Sequence, residues 1–311
     1  MNSHTIPVAV LFLVFNRPDT TAQVFDAIRA ARPARLYVAS DGPRENRPGE
    51  AETVELVRSL VTQVDWPCEV KTLFREKNLG CKVAVSNAIS WFFESEIEGI
   101  ILEDDCLPGP DFFRYCEELL EKYRHDERVG LICGTNLYNL NYIFKRNQPV
   151  DSYYFGRTSS IWGWATWRRV WNEYDVNISD WPELRKSDSY RHNFSSRKWR
   201  FLCKTFDASN LNKVDTWDYQ FGYLLLKSGR LSATPNVNLI KNIGFNSNAT
   251  HTKNKFSHEG ANDIENLTWP LRHPVGIYPD NIKDNYLDLV YSSKYVRYVI
   301  AFIRFISGWK K

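Results

Sequence analysis

The chain of 311 residues lacks a dominant charge, a long apolar run, a paired-cysteine pattern and a glycine-rich phosphate loop. Its 40 Lys and Arg face 37 Asp and Glu, for a formal net charge of +3. No global positive field draws it to nucleic acid, and no nucleic-acid partner is expected. The absence of any run of about 18 apolar residues excludes a membrane-spanning helix. The apolar run 8–15 is short, has no basic flank before it and ends in Asn16-Arg17-Pro18. It reads as a first β-strand rather than a signal peptide. The six cysteines show no CxxC spacing, so they read as reduced thiols of a cytoplasmic protein. Neither GxGxxG nor GxxxxGK[ST] occurs, which argues against dinucleotide and P-loop binding. No repeat and no low-complexity linker divides the chain.

What is present is an alternation of strand and helix patterns over the first 135 residues. Strands are predicted at 8–15, 36–39, 69–74, 99–102 and 129–133. Helices are predicted at 18–31, 48–63, 82–93 and 111–123, from apolar residues at helical spacing. This βαβα order implies an α/β fold with a mainly parallel central sheet flanked by helices and joined by right-handed crossovers. From 136 on the regularity fades. Residues 216–227 look helical, 230–240 extended and 246–260 loop-like. A single domain over 1–290 is expected, with a nucleotide-binding half at 1–135 and a less regular acceptor half at 136–290. Residues 291–311 form a separate basic and aromatic amphipathic helix, which docks on the domain or lies on the inner, anionic face of a membrane.

The sharpest feature is Ile100-Ile101-Leu102-Glu103-Asp104-Asp105, an apolar strand that ends in three carboxylates and then Pro108-Gly109-Pro110. A solvated turn can also be acidic. Here, however, other polar residues fall at the carboxyl ends of the neighbouring strands, where open α/β sheets bind their ligands. Phe15 and Arg17 follow the first strand, Asp41 the second, and Asn78 and Lys82 the third. Adjacent carboxylates repel one another unless a cation sits among them, and oxygen ligands suit Mn²⁺ or Mg²⁺. Arg17 is suited to a base or a phosphate, Asp41 to a base N–H, and the acids to ribose hydroxyls and a metal bridging a diphosphate.

With these residues the chain resembles the GT-A-fold, Rossmann-like glycosyltransferases. The run from Ile101 through Glu103-Asp104-Asp105 to Pro110-Asp111-Phe112-Phe113 is similar to the metal-site segment of the N-acetylglucosaminyltransferases that initiate hybrid N-glycans. More widely, the chain is similar to small bacterial family-2-like sugar transferases. The resemblance covers about residues 8–135 and, more loosely, 162–251. It implies a metal-dependent, inverting transfer from a UDP-sugar to a hydroxyl of a glycan or lipid-linked saccharide, in surface polysaccharide assembly. Arg17 and Asp41 would hold the uracil, Glu103 the donor sugar, Asp104 the ribose and Asp105 the metal. The catalytic base would be Asp218, with Asp215 its rival and a candidate acceptor contact. The family pattern has adjacent acids here, whereas in this chain they stand three apart.

His251 is a candidate further metal ligand, and Trp164, in the Trp-rich segment 161–171, a candidate acceptor platform. Two other readings compete. A sugar nucleotidyltransferase would carry a Gly-rich basic loop after the first strand, where this chain has Phe15-Asn16-Arg17-Pro18. A catalytically silent carbohydrate-binding protein would not need the acidic triplet.

Overall fold

The computed structural model describes residues 6–138, 150–244 and 263–293. His251 and the tail 294–311 lie outside the described residues. The sheet elements are β1 (Val10–Val14), β2 (Arg35–Ser40), β3 (Glu69–Phe74), β4 (Glu98–Glu103), β5 (Cys106–Pro108), β6 (Val129–Cys133), β7 (Tyr153–Gly156), β8 (Trp164–Trp167), β9 (Leu231–Pro235) and β10 (Ile240–Asn242). The helices are α1 (Pro18–Ala31), α2 (Glu50–Val61), α3 (Gly80–Ser95), α4 (Pro110–Tyr123), α5 (Arg168–Trp171), α6 (Trp181–Leu184), α7 (Asp188–Arg191), α8 (Ser196–Asn210), α9 (Asp218–Ser228) and α10 (Asn281–Ser292).

An eight-stranded sheet has the order β3-β2-β1-β4-β8-β6-β9-β7. Strands β1 to β4 are mutually parallel, β6 and β9 run with them, and β8 and β7 run against their neighbours. The expected α/β class with a mainly parallel sheet is therefore the observed one. β1 is buried along its whole length, as a central strand covered on both faces must be. Pro18 opens α1 at a position where its missing N–H costs nothing, and the buried Val24, Phe25 and Ile28 give that helix its core face. After β3 the chain crosses back over β1 to lay β4 on its other side. The β1/β4 boundary is thus the topological switch point where such sheets open a crevice.

Sequence periodicity misses β8. It inserts antiparallel between β4 and β6, with Trp164 opposite Ile101 on one side and Cys133 on the other. Four residues buried on both faces carry no alternation to read. Gly163 admits the strand: its φ is +59°, and a Cβ there would lie 2.3 Å from Ile240 Cδ1. Trp164 is 0% exposed and stacks on Trp217 at 5.5 Å, with Phe221 beside it at 5.1 Å. The acceptor role expected of Trp164 is corrected here, because its ring is wholly consumed by the core. Arg169 is structural as well. Its guanidinium donates to the carbonyls of Tyr123, Arg124, Asp126 and Val129, tying the end of α4 to the turn that leads into β6.

One hydrophobic core takes residues from both halves of the chain, and a smaller cluster of Ile178, Trp181, Leu202, Phe206 and Tyr223 supports α8 and α9. α10 begins at Asn281, with Asp280 accepting from the amides of Ile282 and Lys283, so the boundary expected at 291 falls inside a helix. All six cysteines are free thiols. Among the described residues no helix is long and apolar enough to cross a membrane.

Candidate active site

The β1/β4 register pairs Leu13 with Glu103, so the residues that follow each strand emerge side by side. Arg17 caps α1, its carbonyl accepting from Thr20 and Thr21 hydroxyls and the Thr21 amide, which fixes where its side chain starts. Its guanidinium donates to Asp105 Oδ2 at 2.6 Å and to Asp104 Oδ1 at 3.4 Å. The Phe15 amide donates to Asp104 Oδ2 at 3.3 Å. Behind the acids, β10 pairs with β5, and the Ile243 amide donates to the Asp105 carbonyl at 2.8 Å. Gly244 lies so close that a Cβ there would stand 2.3 Å from Asp105 Oδ2.

The electrostatics are those of a site with too much negative charge. Glu103 Oε1 is buried and has no hydrogen-bond partner among the described residues. Burial first, then the charges of Asp105, Asp104 and Asp218, push the Glu103 carboxyl up to about 8. Burial and Asp105 push Asp104 up to about 7, against the pull of Arg17. Burial draws the Arg17 guanidinium down, but Asp104 and Asp105 outweigh it and the net shift is upward. An excess of carboxylate beside one guanidinium, with a buried oxygen left over, suits the charge of a hard divalent cation. Among the described residues no three His, Cys, Asp or Glu side chains converge on one ion.

These shifts fix a pH dependence. A native carboxyl whose pKa lies above its unfolded value binds more protons than the unfolded chain, so stability falls as pH rises through that window. For Glu103 the window runs from 4.5 to about 8. The melting temperature is expected to drop between about pH 4.5 and about pH 8, and Glu103→Gln to reduce that slope, with Asp104 supplying the rest up to about pH 7. An unchanged slope in the variant, followed by calorimetry, would contradict the assignment.

The other acids are held by backbone. Asp41 accepts from the amides of Gly42, Leu79 and Gly80 at 2.9–3.1 Å. Asp215 accepts from Cys81 at 3.0 Å and Lys82 at 2.8 Å. The four successive amides 79–82 at the start of α3 are thus gripped by two carboxylates from different parts of the chain, one way to satisfy a helix N-terminus. Gly80, with φ +79°, makes room, since a Cβ would meet Asp215 at 2.9 Å. Asp215→Ala is expected to cost about 1–2 kcal/mol in urea unfolding; no loss would remove the capping role. Asn78 donates to the Gly42 carbonyl at 2.8 Å. Lys82 is buried and its ammonium donates to Asn212 at 2.6 Å, tying α3 to the loop before α9.

Asp218 heads α9 and accepts from the Thr216 hydroxyl. Its charge contributes to the rise at Glu103, so it lies within electrostatic reach of the acidic turn. The structure thus gathers Arg17, Glu103, Asp104, Asp105 and Asp218. It assigns Asp41, Asn78, Lys82 and Asp215 to holding the surrounding loops. Cys81 was not singled out as a site residue in the sequence. Burial, and then Glu103, Asp215, Asp218 and Asp41, push its thiol up to about 12, so it is an uncharged group within reach of these acids. Its position next to Gly80 in the strand-end segment was the only available signal.

No family model and no curated protein sequence matches this chain. Among solved structures, HddC from Yersinia pseudotuberculosis aligns with a TM-score of 0.34 and 10% identity, over 54% of this chain and 80% of that one. UDP-glucose pyrophosphorylase complexed with UDP-glucose aligns at 0.34 and 10%, over 55% and 81%. The inositol-1-phosphate CTP transferase from T. maritima aligns at 0.36 and 10%, over 74% and 85%. Likeness at this level carries no argument about activity.

Proposed function

We propose that this chain is a metal-dependent, inverting glycosyltransferase that moves a sugar from a UDP-sugar to a hydroxyl of a glycan or lipid-linked saccharide. One observation carries the reading: the Glu103-Asp104-Asp105 turn ends β4 at the sheet's switch point, where Arg17 reaches Asp104 and Asp105, and Asp218, in the first turn of α9, is near enough to act electrostatically on Glu103. Asp105 holds the divalent ion, Asp104 the ribose and Glu103 the donor sugar. When bound, the ion supplies Lewis-acid stabilisation of the departing diphosphate. Asp218 accepts the acceptor's proton. The Thr216 hydroxyl donates to it and orients it. Peripheral contact of the basic tail with an anionic membrane would bring the enzyme to a lipid-linked acceptor.

The second reading is a sugar nucleotidyltransferase, the class to which the UDP-glucose pyrophosphorylase belongs. Against it, Asn16-Arg17 lead straight from β1 into α1, with no phosphate loop between. The test is product analysis. UDP released from one UDP-sugar in the presence of Mn²⁺, and lost with EDTA, supports the transferase. Pyrophosphate released from a nucleoside triphosphate and a sugar 1-phosphate supports the nucleotidyltransferase. Sugar binding without either product leaves a carbohydrate-binding protein.

A further inference from the structure

We propose that Arg17 is a built-in counter-cation of the acidic turn, which a divalent ion displaces from Asp105 only when a nucleoside diphosphate arrives to receive the guanidinium. The inference rests on the nucleotide-sugar reading above and deepens it.

The oxygen that a metal would take is already engaged. Arg17 Nη1 stands 2.6 Å from Asp105 Oδ2, and the same nitrogen is 3.4 Å from Asp104 Oδ1. The pair is enclosed but open to exchange, with the Arg17 side chain 24% and the Asp105 side chain 15% exposed. The start of the Arg17 side chain is pinned, because its carbonyl closes the first turn of α1. Only the far end of the side chain can therefore swing.

A divalent ion entering alone would take Asp105 from the guanidinium and stand beside it as a new dication, bringing no further anion, although Asp104 stays within 3.4 Å. A dication entering with a diphosphate meets a different balance. The phosphate oxygens offer the guanidinium a forked, charge-assisted partner to replace Asp105. Metal and nucleotide are then coupled through Arg17, and the coupling is reciprocal. The device also accounts for how three adjacent carboxylates persist in a folded chain before any ligand arrives. One guanidinium is spread across Asp104 and Asp105.

The test is calorimetric and does not depend on turnover. Mn²⁺ is titrated into the full chain with and without saturating UDP, for wild type, Arg17→Met and Arg17→Lys. Wild type should bind Mn²⁺ weakly alone and at least about tenfold more tightly with UDP. Arg17→Met should bind Mn²⁺ alone about tenfold more tightly than wild type, with the gain from UDP reduced, and Arg17→Lys should fall between. If both folded variants bind Mn²⁺ alone no better than wild type, while wild type binds Mn²⁺ with UDP, this inference fails and the nucleotide reading stands. If wild type binds no UDP under any condition, both fail. Should Arg17→Met not fold by circular dichroism, Arg17→Lys alone decides the outcome.

Discussion

Asp105→Ala is expected to lower UDP release from the donor by about 10³-fold or more while leaving the melting temperature unchanged or raised. The two halves of this result have one cause. Asp105 raises the pKa of both Glu103 and Asp104, so it is a source of repulsion in the folded chain. Removing it relieves that repulsion, and Arg17 keeps Asp104 as a partner. A residue kept only for the fold would behave in the opposite way, losing stability and activity together. The metal's contribution to the leaving diphosphate is worth several kcal/mol, and each 1.4 kcal/mol is about tenfold in rate. Turnover and thermal unfolding measured on the same preparation decide the matter. An active Asp105→Ala enzyme would sink the metal assignment.

Asp218→Asn should lower kcat by about 10²–10⁴-fold and leave UDP affinity within about twofold of wild type. The amide keeps the shape of the side chain and can still meet the Thr216 hydroxyl, but it cannot take a proton. Because the base acts on the acceptor, the donor's nucleotide should bind as before. The contrast with Asp215 sharpens the prediction. Asp215 spends its oxygens on the Cys81 and Lys82 amides, so its loss should appear first in stability. Retained turnover in Asp218→Asn together with lost turnover in Asp215→Asn would reverse the base assignment. A pyrophosphate-releasing enzyme indifferent to Asp218→Asn would favour the nucleotidyltransferase.

The sequence by itself determined the first half of the fold and the identity of the acidic turn. Expected and observed bounds coincide for α1 and β6, because apolar runs and helical spacing follow directly from burial on one face or on both, and they coincide as well for β3, an edge strand with no fully buried residue. Glu103, Asp104 and Asp105 could be picked out because charged residues that end a buried strand must serve something other than the core.

Only the tertiary structure decided the rest. That β8 lies in the middle of the sheet depends on non-local pairing with β4 and β6, which no local pattern encodes. Trp164 was read as a ligand platform because an aromatic face suits a sugar as well as it suits a core, and its stacking on Trp217 is what separates the two. Asp41 and Asp215 carry the same side chain as Asp105. What distinguishes them is the Leu79–Lys82 amides that reach them across 38 and 133 or more residues of chain, and a contact of that range exists only once the two halves have packed.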